Sequence, residues 1–126
     1  MTYSTDKTII EQLPTIDKIR TQFIDQLREC ELELNSPEIQ DIFEKEKDTA
    51  KRRKFIDERT DLSVFRLKLE TAVLEKVAAR LKCFEEDLND GIKDLKDSID
   101  SVKKTVDILT TIKNVTGIVA RIVVII

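Results

Sequence analysis

The sequence predicts an all-α fold, an elongated antiparallel bundle of three to four long helices with coiled-coil character, forming one domain over residues 1–126. Glycine and proline contribute two residues each to the 126, whereas average usage would supply roughly 12% of a chain. Strand-rich folds need a turn about every 8 to 12 residues, so these few breakers exclude them. Charged residues at 37% and hydrophobic residues at 40% are typical of long amphipathic helices. The third observation is the spacing of the apolar residues, which follows the α-helical period.

The first helix is predicted over residues 14–34. Pro14 suits the first turn of a helix, because the N–H that proline lacks has no partner there. From that point the apolar residues step by three and four and form one stripe: Leu13, Ile16, Ile19, Phe23, Leu27, Cys30 and Leu34. Cys30 lies on this stripe and is predicted to be a small buried hydrophobe.

A second helix is predicted over residues 37–89, with a break near Thr60 left open. Ser36 can cap it, Pro37 fits its first position and Glu38 favours its dipole. Within residues 44–61, 13 of the 18 side chains are charged. This segment has little to bury, so we expect it to be solvent-facing or hinge-like.

From Leu62 onward the second helix has apolar residues on two faces. We therefore predict a central helix, contacted on one side by the first helix and on the other by the C-terminal one. One stripe runs through Val64, Leu67, Leu74, Ala78, Leu81 and Leu88, and the other through Leu62, Phe65, Leu69 and Val73.

The third helix is predicted over residues 91–126. Asn89, Asp90 and Gly91 are poor helix formers and favour a turn. However, one heptad register continues through them from Leu81 to Leu109, which favours an unbroken helix that would require oligomerisation. We favour the turn and keep the unbroken helix as the alternative.

Several kinds of chemistry are excluded by composition. The chain has no histidine, so it lacks the usual general base near neutral pH and a common metal ligand. The two cysteines are too far apart in sequence for a zinc cluster, and two isolated glycines cannot build a phosphate-binding loop. We predict no enzymatic activity, no catalytic residue, no cofactor and no metal.

Charge does not dictate a partner either. The net charge is −3, and the basic run from Lys51 to Lys54 is surrounded by acidic residues, so we predict a solvated helix face and no nucleic-acid binding.

The C-terminal segment 115–126 is almost wholly apolar. Its twelve residues would span about 18 Å as a helix, too short for the roughly 30 Å of a bilayer core. We therefore predict a helical scaffold or protein-interaction module, cytoplasmic because no signal peptide or full transmembrane helix is visible. Its partner would be itself, as a homo-oligomer, or another helical protein. The predicted interface residues are Val115, Ile118, Val119, Ile122, Val123 and Ile126.

Two alternatives concern the same segment. A hydrophobic element held by long polar helices resembles the soluble form of α-helical pore-forming toxins, and this resemblance implies a membrane-interacting function through 115–126. Alternatively, the segment is ordinary core that closes the bundle against the first helix. In that case Val124 and Ile125, which lie off the stripe, would be partly exposed.

Overall fold

A computed structural model of the chain describes residues 7–101 and 105–124. The described residues are 91% helical and contain no strand, which confirms the all-α class. They form six helices where three or four were predicted: α1 Lys7–Leu34, α2 Pro37–Glu44, α3 Thr49–Thr71, α4 Leu74–Cys83, α5 Glu85–Ser101 and α6 Thr105–Val123.

Helix α1 differs from the prediction at its beginning. It starts at Lys7, so Pro14 lies inside the helix and not in its first turn. An internal proline removes one backbone hydrogen bond and costs roughly 3 kcal/mol. Burial offsets this cost, because Ile16 is in the core and Leu13 packs against it.

The predicted helix over 37–89 is divided into shorter helices. Its start is as predicted, since the Ser36 hydroxyl accepts a hydrogen bond from the Ile39 N–H at 3.4 Å. The first interruption ends at Asp48, whose carboxylate accepts from the Ala50 N–H at 2.9 Å and caps α3. Helix α3 then passes through Thr60 without a break.

The second interruption, at Ala72 and Val73, is accompanied by a contact from a distant part of the chain. The backbone of Ala72 is extended, with ψ at 145°. Its carbonyl accepts a hydrogen bond from the guanidinium of Arg20 in α1 at 2.8 Å. A third interruption follows at Phe84, between α4 and α5.

The predicted turn at Gly91 is wrong, because α5 continues from Glu85 to Ser101. Gly91 is buried where α5 meets α6, and a Cβ added to it would lie 3.3 Å from the Ile118 Cδ1 atom. The close approach of α5 and α6 therefore explains why a glycine occupies this position.

Helix α3 contacts both α1 and α6, as predicted. However, its face with Val64 is exposed, so the prediction that a neighbouring helix covers each apolar face is wrong. Arg20 contacts Ala72 and Glu31 contacts Ser63, so α1 runs antiparallel to α3. The most extensive helix contact is between α3 and α6, followed by that between α5 and α6.

Helix α6 runs parallel to α3. At its beginning, the Thr105 hydroxyl donates to Glu46, just before α3, at 3.0 Å. At its end, Arg80 of α4 donates to the Ile122 carbonyl at 2.9 Å.

The charged segment 44–61 is only partly solvent-facing. Phe55 is buried and stacks on Phe43 of α2, with ring centroids 3.9 Å apart and planes 7° apart. The guanidinium carbon of Arg59 lies 5.1 Å from the centroid of the Phe55 ring, which favours a cation–π contact. These contacts fix the beginning of α3 against α2.

Candidate interaction surface

The residues predicted as a partner interface lie mostly in the core of the chain itself. Helix α6 packs against α3, α5 and α4, so a partner could reach its apolar face only if α6 left these helices. This is the core reading of the segment, although its main neighbours are α3 and α5 and not the first helix. Val115, Ile118, Val119 and Ile122 are buried, Val123 is half-buried, and Ile126 lies outside the described residues.

The end of the segment is less well covered. Val124 is exposed, as the core reading predicted, and Ile125 lies outside the described residues. None of the helices in the described part of the chain is both long and apolar enough to cross a membrane.

The two cysteines differ in environment. Cys30 is fully buried, as predicted, and burial raises the pKa of its thiol to about 12. Cys83 is exposed at the end of α4. Across residues 7–101 and 105–124, no cluster of three or more Cys, Asp or Glu side chains is placed to hold a metal ion.

Helix α3 has an apolar face on each side, and residues 7–101 and 105–124 cover only one of them. Phe55, Leu62 and Leu69 are buried against the neighbouring helices. On the opposite side, Ile56 is 54% exposed, Val64 43% and Leu67 53%. We define the outer stripe as five residues of α3 that fall within an arc of about 80° at 100° per residue: Ile56, Thr60, Val64, Leu67 and Thr71.

The hydroxyl groups of the two threonines in the outer stripe already have hydrogen-bond partners, so the stripe has no unpaired polar side chain at these positions. The Thr60 hydroxyl donates to the Ile56 carbonyl at 2.8 Å, and the Thr71 hydroxyl donates to the Leu67 carbonyl at 3.0 Å. Covering these hydroxyls would leave no donor unpaired, which is the main penalty of burying a polar group. The whole stripe can therefore be buried at little polar cost.

A polar network fixes the orientation of α3 on α1. The buried Glu31 carboxylate accepts from Arg66 at 2.8 Å and from the Ser63 hydroxyl at 2.5 Å. Glu70 accepts from Arg28 at 2.6 Å and from Arg66 at 3.0 Å. The hydrogen bond from Arg28 lowers the pKa of the Glu70 carboxyl, and that to Glu31 raises the pKa of Arg66. Because this network turns Ser63, Arg66 and Glu70 toward α1, the outer stripe lies on the neighbouring, exposed side of α3.

Charged residues flank the outer stripe on both sides. Asp57 and Lys68 lie on one flank and are exposed; the Lys68 ammonium lies 4.9 Å from the centroid of the Phe65 ring. Arg52 and Glu70 lie on the other flank. Each flank thus has both signs of charge, about eleven and eighteen residues apart along α3.

At its N-terminal end the outer stripe opens into a cleft between α2 and α3. The cleft has a volume of about 420 Å³. Ile56 belongs to both features, so the apolar surface continues from the helix into the cleft. The other lining residues are Gln40, Phe43, Glu44, Thr49, Arg52, Arg53 and Phe55.

No protein-family model, no curated protein and no solved structure matches the chain.

The outer stripe is not among the surfaces predicted from the sequence. Val64 and Leu67 belong to a stripe that we expected to be covered, and Ile56 belongs to the charged segment 44–61. The spacing of the five residues by four, four, three and four positions is a helical-face signal that could have identified the stripe.

Proposed function

We propose that the protein is a non-enzymatic helical module that binds a protein partner by apolar helix-to-helix contact through the outer stripe of α3. One observation carries the proposal: α3 has two apolar faces, and the part of the chain that the structure describes covers only one of them. A rigid apolar strip bordered by charges is the type of surface that marks a protein–protein contact. The prediction of an interaction module is retained, but we move the interface from α6 to α3.

The energetics favour covering this surface. Burying apolar area contributes roughly 25 cal/mol per Å², and three large aliphatic side chains of the stripe are about half exposed. The network around Glu31 and Arg66 already orders α3. A partner would therefore bind a preformed surface and incur little ordering cost.

For the architecture, we propose that α1, α3, α5 and α6 form an elongated four-helix bundle of coiled-coil type, with α2 and α4 at opposite ends. The pairwise contacts among the four long helices support this arrangement. The short α2 lies near the beginning of α6, and α4 near its end. Such a scaffold would keep α3 straight and its outer face accessible.

The non-enzymatic assignment is supported by the absence of histidine and by the state of the buried polar groups. Glu31 is bonded to Arg66 and Ser63, and burial keeps the Cys30 thiol protonated at neutral pH. These groups support packing and are not arranged as a nucleophile with a base.

A photo-crosslinking experiment tests the proposal. A photoreactive amino acid replaces Val64 in the outer stripe or, as a matched control, Val106, an exposed valine of α6. In the cells that naturally produce the chain, we expect a discrete adduct from position 64, lost when Leu67→Asp is added, and none from position 106.

Equal crosslinking at both positions, or an adduct from position 64 that survives Leu67→Asp, would contradict the proposal. The mass of the adduct identifies the class of partner, whether a second copy of the 14.6 kDa chain or another protein.

The alternative is a membrane-interacting function through residues 115–126. The exposure of Val124 at the end of α6 favours it. However, insertion would require the buried residues of α6 to leave the core, and each fully buried aliphatic side chain contributes roughly 1.5–3 kcal/mol. We therefore propose it second.

A further inference from the structure

We infer that the outer stripe of α3 binds a second copy of this chain, with the two α3 helices packed antiparallel around a two-fold axis near residue 62. This inference rests on the proposed function and specifies its partner. It follows from the positions of the apolar and charged residues along α3.

The outer stripe is complementary to itself when one copy is reversed. In an antiparallel pair centred near residue 62, residues whose numbers sum to about 124 lie opposite each other. Ile56 then faces Leu67 of the second copy, and Thr60 faces its Val64. Two-fold symmetry makes each contact occur twice, as in other isologous interfaces. The same five residues therefore supply both halves of the contact.

The flanking charges are complementary in the same arrangement. A two-fold axis between antiparallel helices keeps each flank on its own side, so Asp57 lies opposite Lys68 of the second copy. On the other flank, Arg52 lies opposite the second copy's Glu70, but that carboxylate is already bonded to Arg28 and Arg66 of its own chain. The pair of Asp57 with Lys68 therefore carries the charge complementarity of the antiparallel dimer.

A parallel pair of α3 helices would bring different charges together. Its two-fold axis would run along the helices and place the flank with Asp57 and Lys68 opposite the flank with Arg52 and Glu70. Charge reversal at positions 57 and 68 therefore distinguishes the two dimers, because only the antiparallel one pairs Asp57 with Lys68.

The size of the stripe sets the strength of the dimer. From Ile56 to Thr71 it is about 24 Å long, and one pair of helix faces of this length buries less than the roughly 1,200 Å² of a standard stable interface. We therefore expect a weak, concentration-dependent dimer. It should be studied at high protein concentration.

Sedimentation velocity of the full chain, from about 10 μM to about 1 mM, tests the inference. We expect the mass to rise from 14.6 kDa toward twice that value. Asp57→Lys and Lys68→Asp should each weaken association about tenfold, because each replaces two attractive pairs by two repulsive ones. The double variant Asp57→Lys/Lys68→Asp should regain wild-type association to within about threefold, because both pairs are restored with the signs exchanged.

Two further variants separate the stripe from the rest of the surface. Leu67→Asp should abolish the dimer, whereas Val106→Asp, at an exposed valine outside the stripe, should leave it unchanged. Circular dichroism and thermal melting verify that every variant retains the fold.

The inference is overturned if the wild-type chain stays monomeric throughout, if Leu67→Asp leaves association unchanged, or if the double variant stays as weak as the single ones. A monomeric chain that still gives a stripe-dependent adduct with another protein would overturn the dimer alone. The proposed function would then stand.

Discussion

At the scale of single residues, burial decides what a side chain can do. Cys30 and Cys83 are identical in chemistry, but Cys30 is enclosed by the core and Cys83 is exposed. Burial disfavours the charged thiolate and so raises the pKa of Cys30 to about 12. Only the thiolate is reactive, so the two cysteines should respond differently to an alkylating reagent.

We predict that iodoacetamide at about pH 8 labels Cys83 alone in the folded protein. Mass spectrometry should show one adduct on the native chain and two after unfolding in guanidinium. Equal labelling of the two cysteines in the native protein would contradict the burial of Cys30.

The raised pKa of Cys30 also sets the sign of a pH effect. The stability that the buried, protonated Cys30 thiol contributes is fully present below its unfolded pKa of 9.0. It is lost as the pH rises toward the folded pKa of about 12. Replacing Cys30 by Ala should therefore make the decline in unfolding free energy above pH 9 less steep than in the wild type.

At the scale of the helices, the packing of neighbouring helices determines whether a glycine has a structural role. Both glycines lie inside helices, where glycine costs roughly 1 kcal/mol relative to alanine. Gly117 has no atom within 4 Å of an added Cβ, whereas Gly91 has Ile118, Asn114 and Val115 within 3.4 Å. Close helix packing therefore explains the loss of helix propensity at Gly91 but not at Gly117.

We predict that alanine changes the free energy of unfolding differently at the two positions. Gly117→Ala should raise the free energy of unfolding by about 0.5–1 kcal/mol, because helix propensity improves without a new contact. Gly91→Ala should be less stable than Gly117→Ala by about 1 kcal/mol or more, because its Cβ crowds α6. Urea denaturation of both variants beside the wild type measures the difference, and equal stabilisation would contradict the close packing of Gly91 on α6.

At the scale of the whole molecule, the C-terminal helix holds the fold together. Helix α6 makes the most extensive contacts in the chain, with α3 and α5. Val115, Val119 and Ile122 are all fully buried. At roughly 1.5–3 kcal/mol for each such side chain, their contribution is comparable to the 5–15 kcal/mol by which typical domains are stable.

A chain ending at Asn114 should therefore lose cooperative folding. We expect its ellipticity at the helical band to fall and its sharp thermal transition to disappear. A truncated chain that still melts cooperatively would show that the end of α6 is not required for the core. Flotation of the intact chain with liposomes is the matched test of the membrane alternative, and we expect none.

The amino-acid sequence by itself determined the helical class and much of the local detail. Scarce glycine and proline, together with the helical period of apolar residues, indicate helices whatever their neighbours. Ser36 caps α2 and Cys30 is buried because the relevant signals lie within one or two turns of the chain. The two apolar faces of α3 can also be read from spacing alone.

Only the tertiary structure decided which of those faces is covered and where the long helices are interrupted. Periodicity shows which residues share a face but not what packs on it, so the exposure of Val64 and Leu67 has no local signal. At the interruption, the Ala72 carbonyl accepts from Arg20, which is 52 residues away, and Gly91 lies where α5 packs closely on Ile118 of α6. These features are set by contacts between distant segments, and such contacts exist only after the helices have packed.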